Sequence, residues 1–424
     1  SGSTLPAMPP PGCLTASIHW CGSSPETVHG EWFGFLGYLN GNSVKTIAFI
    51  SNHTSDLINF RAVLISTLHQ QGVRVLAIAP NFDENTRDAV RALGAEPLDY
   101  SLRPTGMNPF ADLLGAFQLM RLLKVLKPDV VFARAAKPVI YGSLAAWWAN
   151  VPRRIAMIEG LGFVFTPGAG RPSFKRRALK WLVMGLYRMG LSCAHRVVFL
   201  NPDDQREFVE AGLLPAPKAF LLGGIGVDLE QWRPVPSVIE PATFVLAARL
   251  LREKGIEQYA QAARMVKQQY PHARFILLGG LDDNPGALSR QDVQAWADEG
   301  ILEWPGHVPV QPWLAQASVF VLPSYYREGV PASTQEAMAM GRAVITTDAP
   351  GCRETVVDHV NGFLVPVRNP HVLAEKMRRF IEQPDLIVSM GEASRRMAEE
   401  RFDVHKVNQR LIGVLLGNTQ AGRH

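Results

Sequence analysis

From Lys45 onward the chain alternates short apolar runs with amphipathic helical stretches, and it runs through this alternation twice. Residues 46–51, 73–79, 97–100, 129–133, 154–159 and 196–200 read as strands. Helices are predicted between them at 57–71, 83–93, 109–126, 139–149 and 174–193. The pattern restarts with strands at 244–248, 274–279, 302–304, 319–322, 343–346 and 363–365. Its helices fall at 255–269, 288–299, 312–316, 331–340 and 354–358, with two more from about 370 and 385. Apolar strands separated by helices specify parallel sheets covered on both faces. A chain of 424 residues exceeds one comfortable core, so two doubly wound, Rossmann-like α/β domains facing a cleft are expected.

The boundaries follow from composition. Pro234, Pro236 and Pro241 mark 232–241 as a linker between an N-terminal domain, 45–231, and a C-terminal domain, 242–404. Residues 405–424 read as a C-terminal helix and tail, the helix crossing back to the first domain. Residues 1–44 lack Lys and Arg and show no sustained period. They read as a disordered extension, and the Ser-Gly-Ser start as a processed end or cloning remnant. No signal peptide or membrane-spanning stretch is expected. Cys13, Cys21, Cys193 and Cys352 fit no metal-binding spacing, so no metal site is carried forward and the thiols read as reduced, in a cytoplasmic protein.

Charge is unevenly placed. Residues 45–222 hold 22 Lys and Arg against 13 Asp and Glu, whereas 223–424 hold 21 against 23. A basic first half points to an anionic partner, a phosphate-bearing acceptor or an anionic membrane surface. It does not point to nucleic acid, because the basic residues lack interleaved aromatics or a helix-turn-helix pattern.

In parallel sheets ligands bind at the carboxyl ends of the strands, and the motifs lie there. The segment 322–341, LPSYYREGVPASTQEAMAMG, places Glu328 before a helix and Glu336 within it. At ~1.5 Å rise per residue their eight-residue spacing sets them roughly 12 Å apart along the axis, enough to address two parts of one nucleotide. The amides of Gly329 and Val330 open that helix toward an anion. In 248–255, ARLLREKG, Arg249 offers a planar fork and Lys254 a point charge suited to a departing diphosphate, while Arg252 reads as facing solvent. Gly279 and Gly280 permit close backbone approach after a strand, or form an ordinary turn. A G-x-G-x-x-G fingerprint is missing from the first strand–helix turn, which disfavours a dinucleotide dehydrogenase.

The segment 322–341, with the RAVITTDAPG that follows it, resembles the E-x7-E signature of glycosyltransferase family 4, whose members are retaining enzymes of the GT-B fold. The resemblance implies that Glu328 binds donor-sugar hydroxyls and Glu336 the ribose, with Arg249 and Lys254 at the donor diphosphate and no divalent metal or other cofactor. It implies nucleotide contacts at Gly279 and Gly280 and beside 305–308, where His307 lies. The stretches 51–61, 135–152 and 158–166 resemble PglA-type transferases, which act on polyprenyl-diphosphate-linked sugars in bacterial glycan assembly. The implied reaction moves a hexose or N-acetylhexosamine from a UDP-sugar to such an acceptor.

Where many members carry a histidine, this chain has Glu159. Its open roles are hydrogen-bonding a sugar hydroxyl, acting as a base or shaping the loop. Asn52, His53 and Lys137 are candidate acceptor or phosphate contacts, each with an ordinary surface or loop reading beside it. The segment 172–190 interleaves Lys175, Arg176, Arg177 and Lys180 with Phe174, Trp181 and Leu182. It suits peripheral contact with the inner face of an anionic cytoplasmic membrane, or forms a core helix with a charged face. A UDP-sugar 2-epimerase of the same fold and a non-catalytic nucleotide-sugar-binding scaffold are the rival readings.

Overall fold

The computed structural model describes residues 44–100, 109–166, 168, 173–282, 284 and 286–417. The expectations for residues 1–43, including Cys13 and Cys21, lie outside the described residues. The described part belongs to one compact unit, Val44–His424.

It contains two all-parallel sheets. The first joins β1 (Thr46–Ile50), β2 (Arg74–Ala79), β3 (Ala95–Asp99), β4 (Val130–Arg134), β5 (Arg153–Ile158), β6 (Arg196–Phe199) and β7 (Ala219–Leu221), in the order β3-β2-β1-β4-β5-β6-β7. The second joins β8 (Thr243–Ala247), β9 (Arg274–Leu278), β10 (Glu303–Gly306), β11 (Val319–Leu322), β12 (Ala343–Thr347) and β13 (Gly362–Val365), in the order β10-β9-β8-β11-β12-β13. In both sheets the strand order reverses beside the first strand, which opens a crevice at the carboxyl ends.

The helices of the first half are α1 (Thr54–Gln70), α2 (Glu84–Ala92), α3 (Pro109–Leu126), α4 (Ser143–Trp148), α5 (Gly162–Phe165), α6 (Phe174–Ser192) and α7 (Pro202–Glu210). Those of the second are α8 (Ile256–Lys267), α9 (Arg290–Asp298), α10 (Gln311–Leu314), α11 (Ala332–Ala339), α12 (Pro370–Glu382), α13 (Asp385–Met397) and α14 (Val404–Leu416). Their starts are chemically specified. Asn201 caps α7 by accepting from the Asp204 amide at 2.8 Å, and Ser289 and Asp292 form a reciprocal capping box on α9.

The doubly wound architecture is as expected from the sequence, with local differences. The short strand β7 and helices α5 and α7 were not anticipated. The half-buried β7 has three residues and α5 a single turn, too little for a period to show. The expected helix at 139–149 begins as a π-helical turn, Pro138–Gly142, before α4. The expected helix at 354–358 shrinks to a 3₁₀ turn, Arg353–Thr355.

Three cores hold the layers. One lies under α3, α4 and α6, and a second under α8, α9, α12 and α13. The third runs through both halves, from Phe49, Met157 and Leu200 to Val330, Met338 and Phe402. The chain also ties the halves together at its end. Helix α14 packs on α1, Arg153 Nη2 donates to the Val414 carbonyl at 2.9 Å, and Arg410 Nη2 donates to Leu221 O at 2.9 Å. The Pro-rich stretch is pinned to the second half. The buried Arg342 donates to the carbonyls of Val235, Pro236 and Ala317, and Arg395 donates to Trp232 O.

Candidate active site at the strand ends

Four loops meet at the carboxyl ends of β5, β6, β8 and β11. Gly255 starts the assembly. It sits at φ +76°, where a Cβ would fall 2.0 Å from the Pro323 carbonyl, so only glycine lets the loop after β8 lie against the loop after β11. The Glu253 carbonyl then accepts from the amides of Tyr325 and Tyr326. These bonds bring Lys254 Nζ to 2.5 Å from Glu328 Oε1, and Ser324 Oγ donates to the same oxygen at 3.0 Å. Arg249 is more exposed and pairs with Asp282 at 3.1 Å.

Tyr326 stands between the two cations. The Lys254 ammonium lies 5.3 Å from its ring centroid, and the charge of Arg249 acts on its hydroxyl. Burial, ahead of the neighbouring charges, raises its pKa, so it stays a neutral phenol. Tyr326 lay inside a motif that the sequence singled out, yet nothing in the spacing showed which side chain would separate the cations. Arg252, read as facing solvent, is half-exposed and paired with Glu257 and Asp292.

Gly279, Gly280 and His307 come together. A Cβ on Gly279 would fall 2.0 Å from Ala248 O, and one on Gly280 would lie 3.3 Å from the His307 Cβ. Val330 is buried, and Gly329 packs its backbone against the Glu159 carbonyl. Pro331 occupies the N-cap position of α11, so the helix proper starts at Ala332. The amides of Gly329 and Val330 therefore lie in the loop ahead of the helix.

Glu336 lies in α11 beside the buried Gln335 and Ala337, and burial pushes its carboxyl up to about 7. The usual carboxylate value is 4.5, so folding carries no penalty from this group below pH 4.5. The penalty sets in as pH rises above 4.5 and levels off above about 7. Glu336→Gln is therefore expected to stabilise the fold at pH 8 by about 3 kcal/mol, and hardly at all at pH 4.5. Thermal melts at the two pH values check this, and an equal gain at both would contradict it.

On the first-half side, Glu159 is held by two arginines. Arg61 Nη2 lies 2.6 Å from its Oε1, and Arg134 Nη2 lies 2.8 Å from its Oε2. Arg61 is fully buried on the apolar face of α1, with Leu57, Leu64 and Leu68. A charge in such a stripe was the one sequence signal for this network. Burial pushes the Glu159 carboxyl up, but the charges of Arg134 and Arg61 outweigh it and hold it below the usual range. A carboxylate so held is a weak proton acceptor. Asp56 completes the group, 3.5 Å from Arg134.

Asn52 and His53 follow β1. The Asn52 Oδ1 atom is buried without a hydrogen-bond partner, whereas His53 is exposed at the start of α1. Lys137 pairs with Asp112 at 2.7 Å.

Family models match both halves of the chain. Residues 46–193 match the model described as "Glycosyl transferase 4-like", and 241–383 match "Glycosyl transferases group 1". The chain is 28% identical over 380 residues to the N,N'-diacetylbacillosaminyl-diphospho-undecaprenol α-1,3-N-acetylgalactosaminyltransferase of Campylobacter jejuni, covering 86% of this chain and 97% of that one. It is 23% identical to the capsular polysaccharide glycosyltransferase CapM of Staphylococcus aureus, over 69% of this chain and 78% of that one. Among solved structures, sucrose-phosphate synthase from Thermosynechococcus elongatus superposes with a TM-score of 0.72 at 18% identity, covering 87% of this chain and 98% of its own. Anabaena HepE in complex with UDP gives 0.68 at 18%, covering 87% and 99%. These likenesses show the GT-B fold. With one matched model on each sheet, the chain belongs to the family 4-like, group 1 glycosyltransferases.

Proposed function

We propose that this glycosyltransferase moves a hexose or N-acetylhexosamine from a UDP-sugar to a polyprenyl-diphosphate-linked glycan, with retention of configuration and without a divalent metal. The observation that carries the reading is the Lys254–Glu328 pair at the mouth of the second sheet, with Arg249 across Tyr326. Two cations there can neutralise a departing nucleoside diphosphate, and Glu328 is placed to accept from sugar hydroxyls. Glu336, Gly279, Gly280 and His307 are assigned to the nucleotide. The acceptor class comes from the name of the Campylobacter relative and the nucleotide from the HepE complex. No described helix is long and apolar enough to cross a membrane. Peripheral contact at the inner face of the cytoplasmic membrane is assigned to α6. Its Phe174 and Trp181 are 78% and 74% exposed, and Lys175, Arg177 and Arg188 share the helix.

The test is nucleoside diphosphate release from a panel of UDP- and GDP-sugars in EDTA, with and without a polyprenyl-diphosphate-sugar in anionic vesicles. Acceptor-dependent release from one donor, with the α-anomer in the product, is the expected result. Conversion of donor without acceptor would favour a 2-epimerase, and nucleotide binding without turnover would favour a scaffold.

A further inference from the structure

The donor-side loop is held from the opposite half of the molecule. The amides of Leu161 and Gly162 both donate to the Arg327 carbonyl, at 3.1 and 3.2 Å. Asn201 Nδ2 donates to the carbonyls of Glu328 and Gly329, at 3.1 and 2.8 Å. The Arg327 amide donates in return to Thr166 Oγ1 at 3.0 Å. Three successive carbonyls around Glu328 therefore end on donors from the first half. The approach is backbone to backbone. A Cβ on Gly160, at φ +113°, would fall 2.6 Å from the Gly329 nitrogen, and one on Gly329 would fall 2.7 Å from Glu159 O.

Side-chain charge supports the same contact. Arg327 Nη2 lies 2.6 Å from Asp204 Oδ1 and 2.8 Å from Glu207 Oε2, both on α7. The Asp204 side chain is 2% exposed and that of Arg327 13%. At the rim, Arg353 Nη1 pairs with Asp203 Oδ2 at 2.5 Å. Two arginines of the second half thus meet three carboxylates on α7. An arrangement with the halves apart would separate and rehydrate the Arg327–Asp204 pair. Its attraction, stronger in this dry setting than in water, is available only in the closed arrangement.

We infer that Arg327 is a positioning residue. Through Asp204 and Glu207 it clamps the loop that carries Glu328 against the first half, so the sugar-binding carboxylate reaches its working place only on closure. This rests on the reading of Glu328 as the donor-sugar contact. Arg327 itself faces α7, where it pairs with Asp204 and Glu207.

The experiment compares wild type with Arg327→Gln, Asp204→Asn, the double variant and Arg327→Lys. A misplacement of about 1 Å costs on the order of 10²-fold in rate. Each single Gln or Asn change should therefore lower kcat at saturating donor by about a hundredfold. UDP affinity by calorimetry should stay within about twofold of wild type, and Arg327→Lys should recover part of the rate. The double variant should be no slower than the singles, as for two groups acting through one contact. Singles whose effects multiply, or a loss of UDP affinity that matches the loss of rate, would overturn the inference. Asp203→Asn with Arg353→Gln tests the rim pair if the buried variants do not fold. A smaller, salt-sensitive loss of kcat is expected there, and no loss would count against the clamp. If wild type transfers no sugar, the transferase reading has failed, and small-angle scattering of the UDP complex still decides the clamp. A larger radius of gyration for Arg327→Gln supports it, and an unchanged one overturns it.

Discussion

Lys254→Ala is expected to lower kcat for sugar transfer by about 10²–10³-fold, the loss typical of removing one fixed group that stabilises charge developing in a transition state. Lys254 sits on the loop after β8, with its ammonium 2.5 Å from Glu328 and over the Tyr326 ring. No backbone contact of the loop depends on that side chain: Gly255 on Pro323 and the amides bonded to Glu253 O hold it instead. The variant should therefore fold. Glu328→Gln is a cleaner companion, because the amide keeps the Ser324 hydrogen bond and removes only the charge. Both are checked by steady-state kinetics at saturating donor alongside a circular dichroism melt. A kcat within about threefold of wild type for either would remove that residue from the chemistry, since a transition-state charge contact costs far more.

The second large effect concerns stability. Glu159→Ala leaves Arg61, fully buried, and Arg134, 4% exposed, facing each other with Asp56 as the remaining carboxylate. Removing one partner from a buried ionic group costs about 3–5 kcal/mol, because the charges left behind stay buried. The sign with pH follows from the lowered carboxyl. Its stabilisation is present above the usual value of 4.5 and is lost as acid protonates Glu159. Wild type should lose stability as pH falls below 4.5, and Glu159→Gln should start lower and depend less on pH in that range. Denaturant unfolding from pH 3 to 8 reads both. A general base would behave otherwise, with an unchanged melt and a kcat down about 10²–10⁴-fold.

The sequence by itself determined the alternation. Runs such as 47–50 and 244–248 are apolar at successive positions because parallel strands are covered on both faces. Their order therefore reads as two wound sheets without any tertiary information. The cationic ARLLREKG loop and the two glutamates of 322–341 were legible for a related reason. Each lies on one short segment after a strand, so spacing along the chain maps onto spacing in the site.

What the tertiary structure decided is what crosses the chain. Lys254 and Glu328 are 74 residues apart, and only the close approach at Gly255 makes them a pair. The Glu159 network joins α1, β4 and β5 through Arg61, Arg134 and Asp56. A carboxylate that looked like a candidate base thereby becomes the counter-ion of two buried guanidiniums. Asp204 and Arg327 meet across the cleft, and α7 is too short and polar for its register to be read from a period. Local propensity and hydrophobic pattern act over a few residues, whereas charge pairing in a dry cleft depends on which loops the sheet order brings together.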